Sequence, residues 1–197
     1  MYKHLTGEGL YNKIKINVVD LDFDSIIEEL YKIKKEDPKG IIRSNVKGYH
    51  TDFILGNLRD TLYAGLFHVL KDNPLNKVLD KDHVSFWGMI NSPGSSNKLH
   101  SHIKGNKAFI PPTMQNIRDG FGTFSGVFYL QVPENSGNLV FVDRDGQEYV
   151  CEPKVGKLVT FPGSLKHYVE ENKSNRDRIS ISFNITKKRG WNGIQAK

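Results

Sequence analysis

Hydrophobic residues recur at two spacings along this chain, and the change from one to the other falls near residue 84. Early on, Ile14, Ile16 and Val18 alternate with Lys15 and Asn17, which predicts a strand over 12–21. Ile26, Ile27, Leu30, Tyr31 and Ile33 then follow helical spacing, with Asp24-Ser25 as the expected opening and Glu28 placed for a capping box. Lys34-Lys35 suit the negative end of that helix, and Pro38 and Gly40 stop it. A second helix is expected over 56–72, with Leu58, Leu62, Leu66, Val69 and Leu70 on one side and Asn73-Pro74 as its stop. The two helices are expected to cover one face of a sheet. From Val84 onward short strand-like runs follow one another, at 84–91, 97–103, 124–132, 138–143, 147–153, 156–162, 166–171 and 177–185. Between them Asn135-Ser136-Gly137, Asp143-Arg144-Asp145-Gly146 and Lys154-Val155-Gly156 carry turn chemistry. The pattern predicts a mainly β fold with flanking α-helices, a jelly roll with its N-terminal helices packed on one sheet. Only 104–123, broken by Gly105, Pro111, Pro112, Gly120 and Gly122, fits no regular element.

Composition narrows the class without naming a function. With 197 residues, 38% of them hydrophobic and 25% charged, the expectation is a single domain with one core. No apolar run reaches the roughly 18 residues that cross a bilayer, and the first residues lack the apolar centre of a signal peptide, so a cytoplasmic protein is expected, in the host cytoplasm if viral. A net charge of +6 permits a polyanionic partner and does not require one. The single cysteine, Cys151, excludes an internal disulfide framework and a cysteine zinc cluster, which leaves histidine and carboxylate as metal ligands.

Three histidines then stand out. His100 and His102 are two residues apart, and on a strand they share a face. His167 begins a later strand after the turn-like Phe161-Pro162-Gly163-Ser164, so a sandwich can bring it opposite the pair. In 177–185 the alternation is strict: Arg178, Ser180, Ser182 and Asn184 on one face, Ile179, Ile181, Phe183 and Ile185 on the other. Such a polar face is either in water or inside a barrel. Ser125, Val127 and Tyr129 share a face that would line the same interior, and a lining of Arg, Ser and Tyr is suited to a carboxylate, because guanidinium presents a planar two-donor fork.

These residues resemble the non-haem Fe(II)- and 2-oxoglutarate-dependent dioxygenases, whose fold is a double-stranded β-helix, and are most similar to a small bacterial and phage group within them. The resemblance covers about 84–185 and rests on Trp87 and Asn91, Asn97-Lys98-Leu99-His100-Ser101-His102, Ser125-Gly126-Val127-Phe128-Tyr129-Leu130, Ser136-Gly137-Asn138-Leu139-Val140-Phe141, Gly156-Lys157-Leu158-Val159-Thr160-Phe161-Pro162, His167, and Arg178 through Asn184. It implies Fe(II), O2 and 2-oxoglutarate as co-substrate, with His100 and His167 as iron ligands. It further implies that Arg178, eleven positions after His167, clamps the distal carboxylate of 2-oxoglutarate with Ser180 and Tyr129, and that Ser125 and Val127 line the pocket. The reaction implied is decarboxylation of 2-oxoglutarate to succinate and CO2 coupled to hydroxylation.

The second ligand departs from the wider family, which has His-x-Asp or His-x-Glu where this chain has His102. Direct ligation by His102 is favoured; a carboxylate from Asp143 or Asp119, or loss of the metal, stays open. The stretch 104–123 looks like an insertion beside the metal mouth, expected as a lid bearing Lys104, Lys107, Phe109 and Arg118, and 186–197 reads as a basic tail with Lys187-Lys188-Arg189 and Trp191. The resemblance to the prolyl-hydroxylase branch puts a protein side chain first as substrate and a free amino acid or other small molecule next; no membrane or nucleic-acid partner is expected. Two readings of other kinds remain: a non-enzymatic jelly-roll binding or virion module, and a cupin-type metalloenzyme that does not use 2-oxoglutarate.

Overall fold

The structure is a computed structural model, and it describes residues 3–4, 15–18, 21–71, 84–102 and 124–185, the first two segments as backbone only. The proposed lid 104–123, with Asp119, and the tail 186–197 lie outside the described residues.

In chain order the elements are β1 (Lys3–His4), β2 (Lys15–Val18), α1 (Phe23–Glu36), β3 (Asn45–Val46), β4 (Tyr49–His50), α2 (Gly56–Leu70), β5 (Val84–Asn91), β6 (Ser96–His100), β7 (Phe124–Gln131), β8 (Leu139–Val142), β9 (Glu148–Cys151), β10 (Lys157–Pro162), β11 (Lys166–Val169) and β12 (Arg178–Ile185). They form two six-stranded sheets, ordered β1-β9-β8-β11-β6-β3 and β2-β10-β7-β12-β5-β4. All pairings are antiparallel except that of β1 with β9. From β5 onward successive strands alternate between the sheets, apart from the hairpin β8-β9, and this is the jelly-roll architecture the turn spacing predicts.

The strict alternation of β12 decides where everything else goes. Ile179, Ile181, Phe183 and Ile185 are buried in a cluster with Ile26 and Leu30 of α1 and with Leu62, Leu66 and Leu70 of α2, so the apolar face of the central sheet lies under both helices. The opposite face, with Arg178 and Ser180, turns toward the other sheet and is buried as well. There a second cluster joins Tyr129, Val159 and Phe161 of one sheet to Leu139, Phe141 and Cys151 of the other. The polar face of β12 therefore lines the barrel, with Arg178 and Ser180 buried and Ser182 and Asn184 half-buried, because helices have taken the apolar side.

Two local expectations change. The cap of α1 is Asp22: its carboxylate accepts from the Ser25 N–H at 3.2 Å and the Ser25 hydroxyl at 2.6 Å, in place of a box between Asp24-Ser25 and Glu28. The reason is that Asp22 has the extended backbone a cap needs, whereas Asp24 already lies in the first turn. Second, β3 and β4, two residues each, close one end of both sheets and are too short to produce a hydrophobic pattern. Among the described residues no helix is long and apolar enough to cross a membrane.

Candidate metal centre

His167 and His100 are directly opposite each other where β11 pairs with β6, and their ring centroids are 4.3 Å apart. Directly paired residues of antiparallel strands have Cβ atoms about 5 Å apart, so two imidazoles at such positions must converge. His102 arrives differently from the expected shared strand face. β6 ends at His100, and the His102 backbone N–H instead donates to the Gly163 carbonyl at 2.7 Å, which brings its ring to 5.3 Å from His100 and 5.1 Å from His167. One ligand atom from each of the three histidines lies within 4.8 Å of the others, and among the described residues this is the only such group that could hold a metal ion.

Each ring is oriented through Nδ1. His100 Nδ1 donates to the Lys98 carbonyl at 2.8 Å, His167 Nδ1 to the Leu165 carbonyl at 2.8 Å, and His102 Nδ1 to Asn184 Oδ1 at 2.6 Å. A proton fixed on Nδ1 leaves the Nε2 lone pair free, which is the tautomer a metal-binding imidazole needs. Among the described residues His100 Nε2 has one side-chain neighbour, the Ser44 hydroxyl at 3.4 Å, a weak contact. Burial favours the neutral form of all three: it pulls His102 down to about 4, His167 well below the ordinary value and His100 down as well, with mutual repulsion among the rings adding at His102 and His167. Three neutral imidazole lone pairs aimed at one point suit a divalent transition metal, so the donor set fits Fe(II) without a carboxylate.

The carboxylate alternative at Asp143 is not brought to this point. Its side chain accepts from the backbone N–H groups of Asp145 and Gln147 and from the Tyr149 hydroxyl, holding the turn between β8 and β9. Of the described residues lining the cleft that contains the histidines, Asp52 alone is acidic, and it is not part of the cluster.

That cleft, about 610 Å³, also holds Val127, Tyr129, Arg178, Ser180, Ser182 and Asn184. Arg178 is 3% exposed, and its hydrogen-bond partners among the described residues are the carbonyls of Ser136 and Gly137, both reached by one terminal nitrogen at 3.0 Å. Its Nε is buried without a partner, and among the described residues no carboxylate pairs with it. Desolvation draws its pKa down, as burial of an uncompensated charge must. Tyr129 is buried beside it, and burial holds its hydroxyl protonated, as a donor. A buried guanidinium with a vacant donor and a neighbouring hydroxyl fits the carboxylate of 2-oxoglutarate.

Sequence reasoning placed Asn184 on the correct face without giving it a task. Its Oδ1 accepts both from His102 and from the Ser125 hydroxyl at 2.7 Å, so Ser125 acts through Asn184 on the ring of His102. Also missed was His50, which stacks on Trp87 at 5.6 Å with an interplanar angle of 5°, while Trp87 in turn packs 5.8 Å from His102. Its signal was hidden in a two-residue strand.

Residues 120–184 match the family model described as "Putative 2OG-Fe(II) oxygenase". No curated protein matches the chain in sequence. Among solved structures, a Pseudomonas putida prolyl-4-hydroxylase superposes with a TM-score of 0.61 at 19% identity, covering 90% of this chain and 94% of that one. A Trichoplax adhaerens prolyl hydroxylase, in complex with a hypoxia inducible factor peptide fragment, gives 0.62 at 13% identity over 89% and 84%. A viral collagen prolyl hydroxylase from Paramecium bursaria Chlorella virus-1, solved with 2OG, gives 0.57 at 14% over 88% and 96%. At these identities the structural likeness speaks for the fold. In that fold, and in the sequence of residues 120–184, the chain resembles the Fe(II)- and 2-oxoglutarate-dependent oxygenases.

Proposed function

We propose that this protein is an Fe(II)- and 2-oxoglutarate-dependent dioxygenase with a three-histidine metal centre, hydroxylating an amino-acid side chain in a protein or in a small molecule. One observation carries the reading: the unpaired, buried guanidinium of Arg178 opens into the same cleft as three imidazole Nε2 atoms. A metal site alone has no use for a desolvated cation, and the two carbonyls at one nitrogen leave its charge without a counter-ion.

His100, His102 and His167 would hold the iron, and Arg178, Tyr129 and Ser180 the distal carboxylate of 2-oxoglutarate. When bound, the pair supplies oxidative decarboxylation: O2 and 2-oxoglutarate become succinate and CO2, and the second oxygen atom enters a substrate C–H bond. The chain's own residues do the rest. The carbonyls of Lys98 and Leu165 and the amide of Asn184 hold the proton of each ring on Nδ1 and fix its orientation, while burial keeps the rings neutral. The carbonyls of Ser136 and Gly137 hold one arm of Arg178, leaving Nε free. Val127, Leu139 and Phe161 supply apolar wall between, which limits water and strengthens each charge interaction. Three neutral ligands would leave the metal's double positive charge uncancelled, and the carboxylate of the co-substrate that Arg178 does not hold would offset part of it.

Anaerobic addition of Fe(II) and 2-oxoglutarate is expected to give a weak visible charge-transfer band and a 2-oxoglutarate-dependent rise in melting temperature. His167→Ala should abolish the band, and Arg178→Ala should demand much more 2-oxoglutarate to reach it. Metal binding with no response to 2-oxoglutarate would leave the cupin-type reading, and no metal binding the non-enzymatic one.

A further inference from the structure

At the mouth of the cleft two opposite charges face the same space without meeting. Arg43 and Asp52 both line it and both are exposed, yet they do not pair with each other, and no side-chain partner in the described residues neutralises either. Among the described residues the Asp52 carboxylate accepts one hydrogen bond, from the N–H of Phe53, through one oxygen. His50 lines the same cleft and feels both charges. Its Nδ1 donates to the Thr51 carbonyl at 2.5 Å, so Nε2 is an acceptor, and no described residue bonds to it. Both charges act on this imidazole, Arg43 disfavouring its proton and Asp52 favouring it, under a larger effect of burial that keeps it neutral. One face of the ring is taken by Trp87, and Phe53, 58% exposed, stands at the edge of the same indole at 6.3 Å.

An anion alone would satisfy Arg43 and be repelled by Asp52; a cation alone would meet the reverse. The main chain of an internal polypeptide residue carries neither an ammonium nor an α-carboxylate, so a peptide would have to match both charges with side chains. A ligand with both signs on adjacent carbons matches both, and the lone pair of His50 adds an acceptor on the ammonium side.

We propose that the primary substrate is a free amino-acid zwitterion, its carboxylate held by Arg43 and its ammonium by Asp52 and the Nε2 of His50, with its side chain running past Trp87 toward the three histidines. This rests on the dioxygenase reading and selects within it. The acceptors also explain why the slot is aromatic: indole and phenyl rings cover the alkyl part and add attraction for the ammonium.

The test uses the whole protein with Fe(II) and 2-oxoglutarate under anaerobic conditions. The proteinogenic amino acids are titrated in free form and as their N-acetyl carboxamides, reading perturbation of the charge-transfer band and the melting temperature, and succinate formation is then followed in air. At least one free amino acid is expected to perturb the band and stimulate succinate, with its blocked form inert. Arg43→Gln and Asp52→Asn, both at exposed positions, should each raise the KM for that amino acid about tenfold or more, the size of one charge-assisted hydrogen bond, leaving the KM for 2-oxoglutarate unchanged. Equal response to blocked forms, response only to proline-containing peptides, no response to any amino acid, or indifference to both substitutions overturns the proposal while the 2-oxoglutarate-dependent band still stands. Loss of that band in the wild type overturns the dioxygenase reading, and this proposal with it.

Discussion

Arg178 is the residue whose environment makes least sense in terms of stability alone. It is 3% exposed, without a counter-ion among the described residues, and bonded through a single nitrogen to two carbonyls. Replacing a buried charge by an apolar side chain of similar volume is often neutral or stabilising by about 1–4 kcal/mol, whereas removal of one partner from a matched ion pair costs about 3–5 kcal/mol. Arg178→Met therefore separates the two roles. If the charge is held for a ligand, the ligand-free variant should be as stable as wild type in urea unfolding, or more so, while the 2-oxoglutarate-dependent rise in melting temperature disappears. A variant that loses several kcal/mol and keeps its response to 2-oxoglutarate would make Arg178 a structural residue. The sequence could place this arginine on the polar face of its strand but could not choose the medium that face meets. That choice depends on two helices about 110 residues or more away in the chain, which occupy the other face.

Among the elements, those of four residues or more were legible and the two-residue strands were not. β12, β7 and β5 are eight residues each, enough for period-two alternation to register, and α1 carries a complete apolar stripe. β3 and β4 have no pattern of their own; they form because β6 and β5 offer open edges, and with them the cleft mouth and His50 escaped notice. That His167 could come opposite His100 was readable from the strand order, but their direct pairing was not, nor was the approach of His102, which depends on a hydrogen bond to Gly163 across the barrel. The docking of α1 is equally hidden: Leu30 is fully buried against Gly88 of β5, where an added Cβ would lie 2.4 Å from Leu30 Cδ2 and 3.2 Å from Thr51 Cγ2. Gly88→Ala should then cost about 1–3 kcal/mol by overpacking. Leu30→Ala alone should cost about 2–5 kcal/mol by cavity formation. In the double variant the two should fail to add, the new methyl filling part of the vacated space, and a urea double-mutant cycle measures that coupling. Simple additivity would show that α1 does not rest on Gly88.

For the whole molecule, the placement of three neutral histidines between two sheets ties stability to pH and separates it from metal affinity. In the unfolded chain His50, His100, His102 and His167 take up protons near 6.5; in the folded protein burial lowers all four, His102 to about 4. Between those values the unfolded state binds more protons, so stability is intact above about pH 6.5 and falls as pH drops toward 4, by about 1.4 kcal/mol per pH unit for each histidine so held. Urea unfolding of the metal-free protein from pH 7.5 to 5 should show that slope, reduced by about one proton's worth in His102→Gln. The folded protein behaves differently toward metal. A site of three ordinary histidines must shed protons to bind, and between pH 7 and 5.5 it would lose about a hundredfold to a thousandfold in affinity. Here burial already disfavours the second proton on each ring, and the Nδ1 bonds keep the remaining one away from Nε2. Anaerobic competition titrations with Fe(II) should accordingly give dissociation constants that rise less than about tenfold over that interval, even as the fold itself weakens. A loss approaching a thousandfold would mean that the three rings titrate as if in water, and that the cleft is wetter than its geometry indicates.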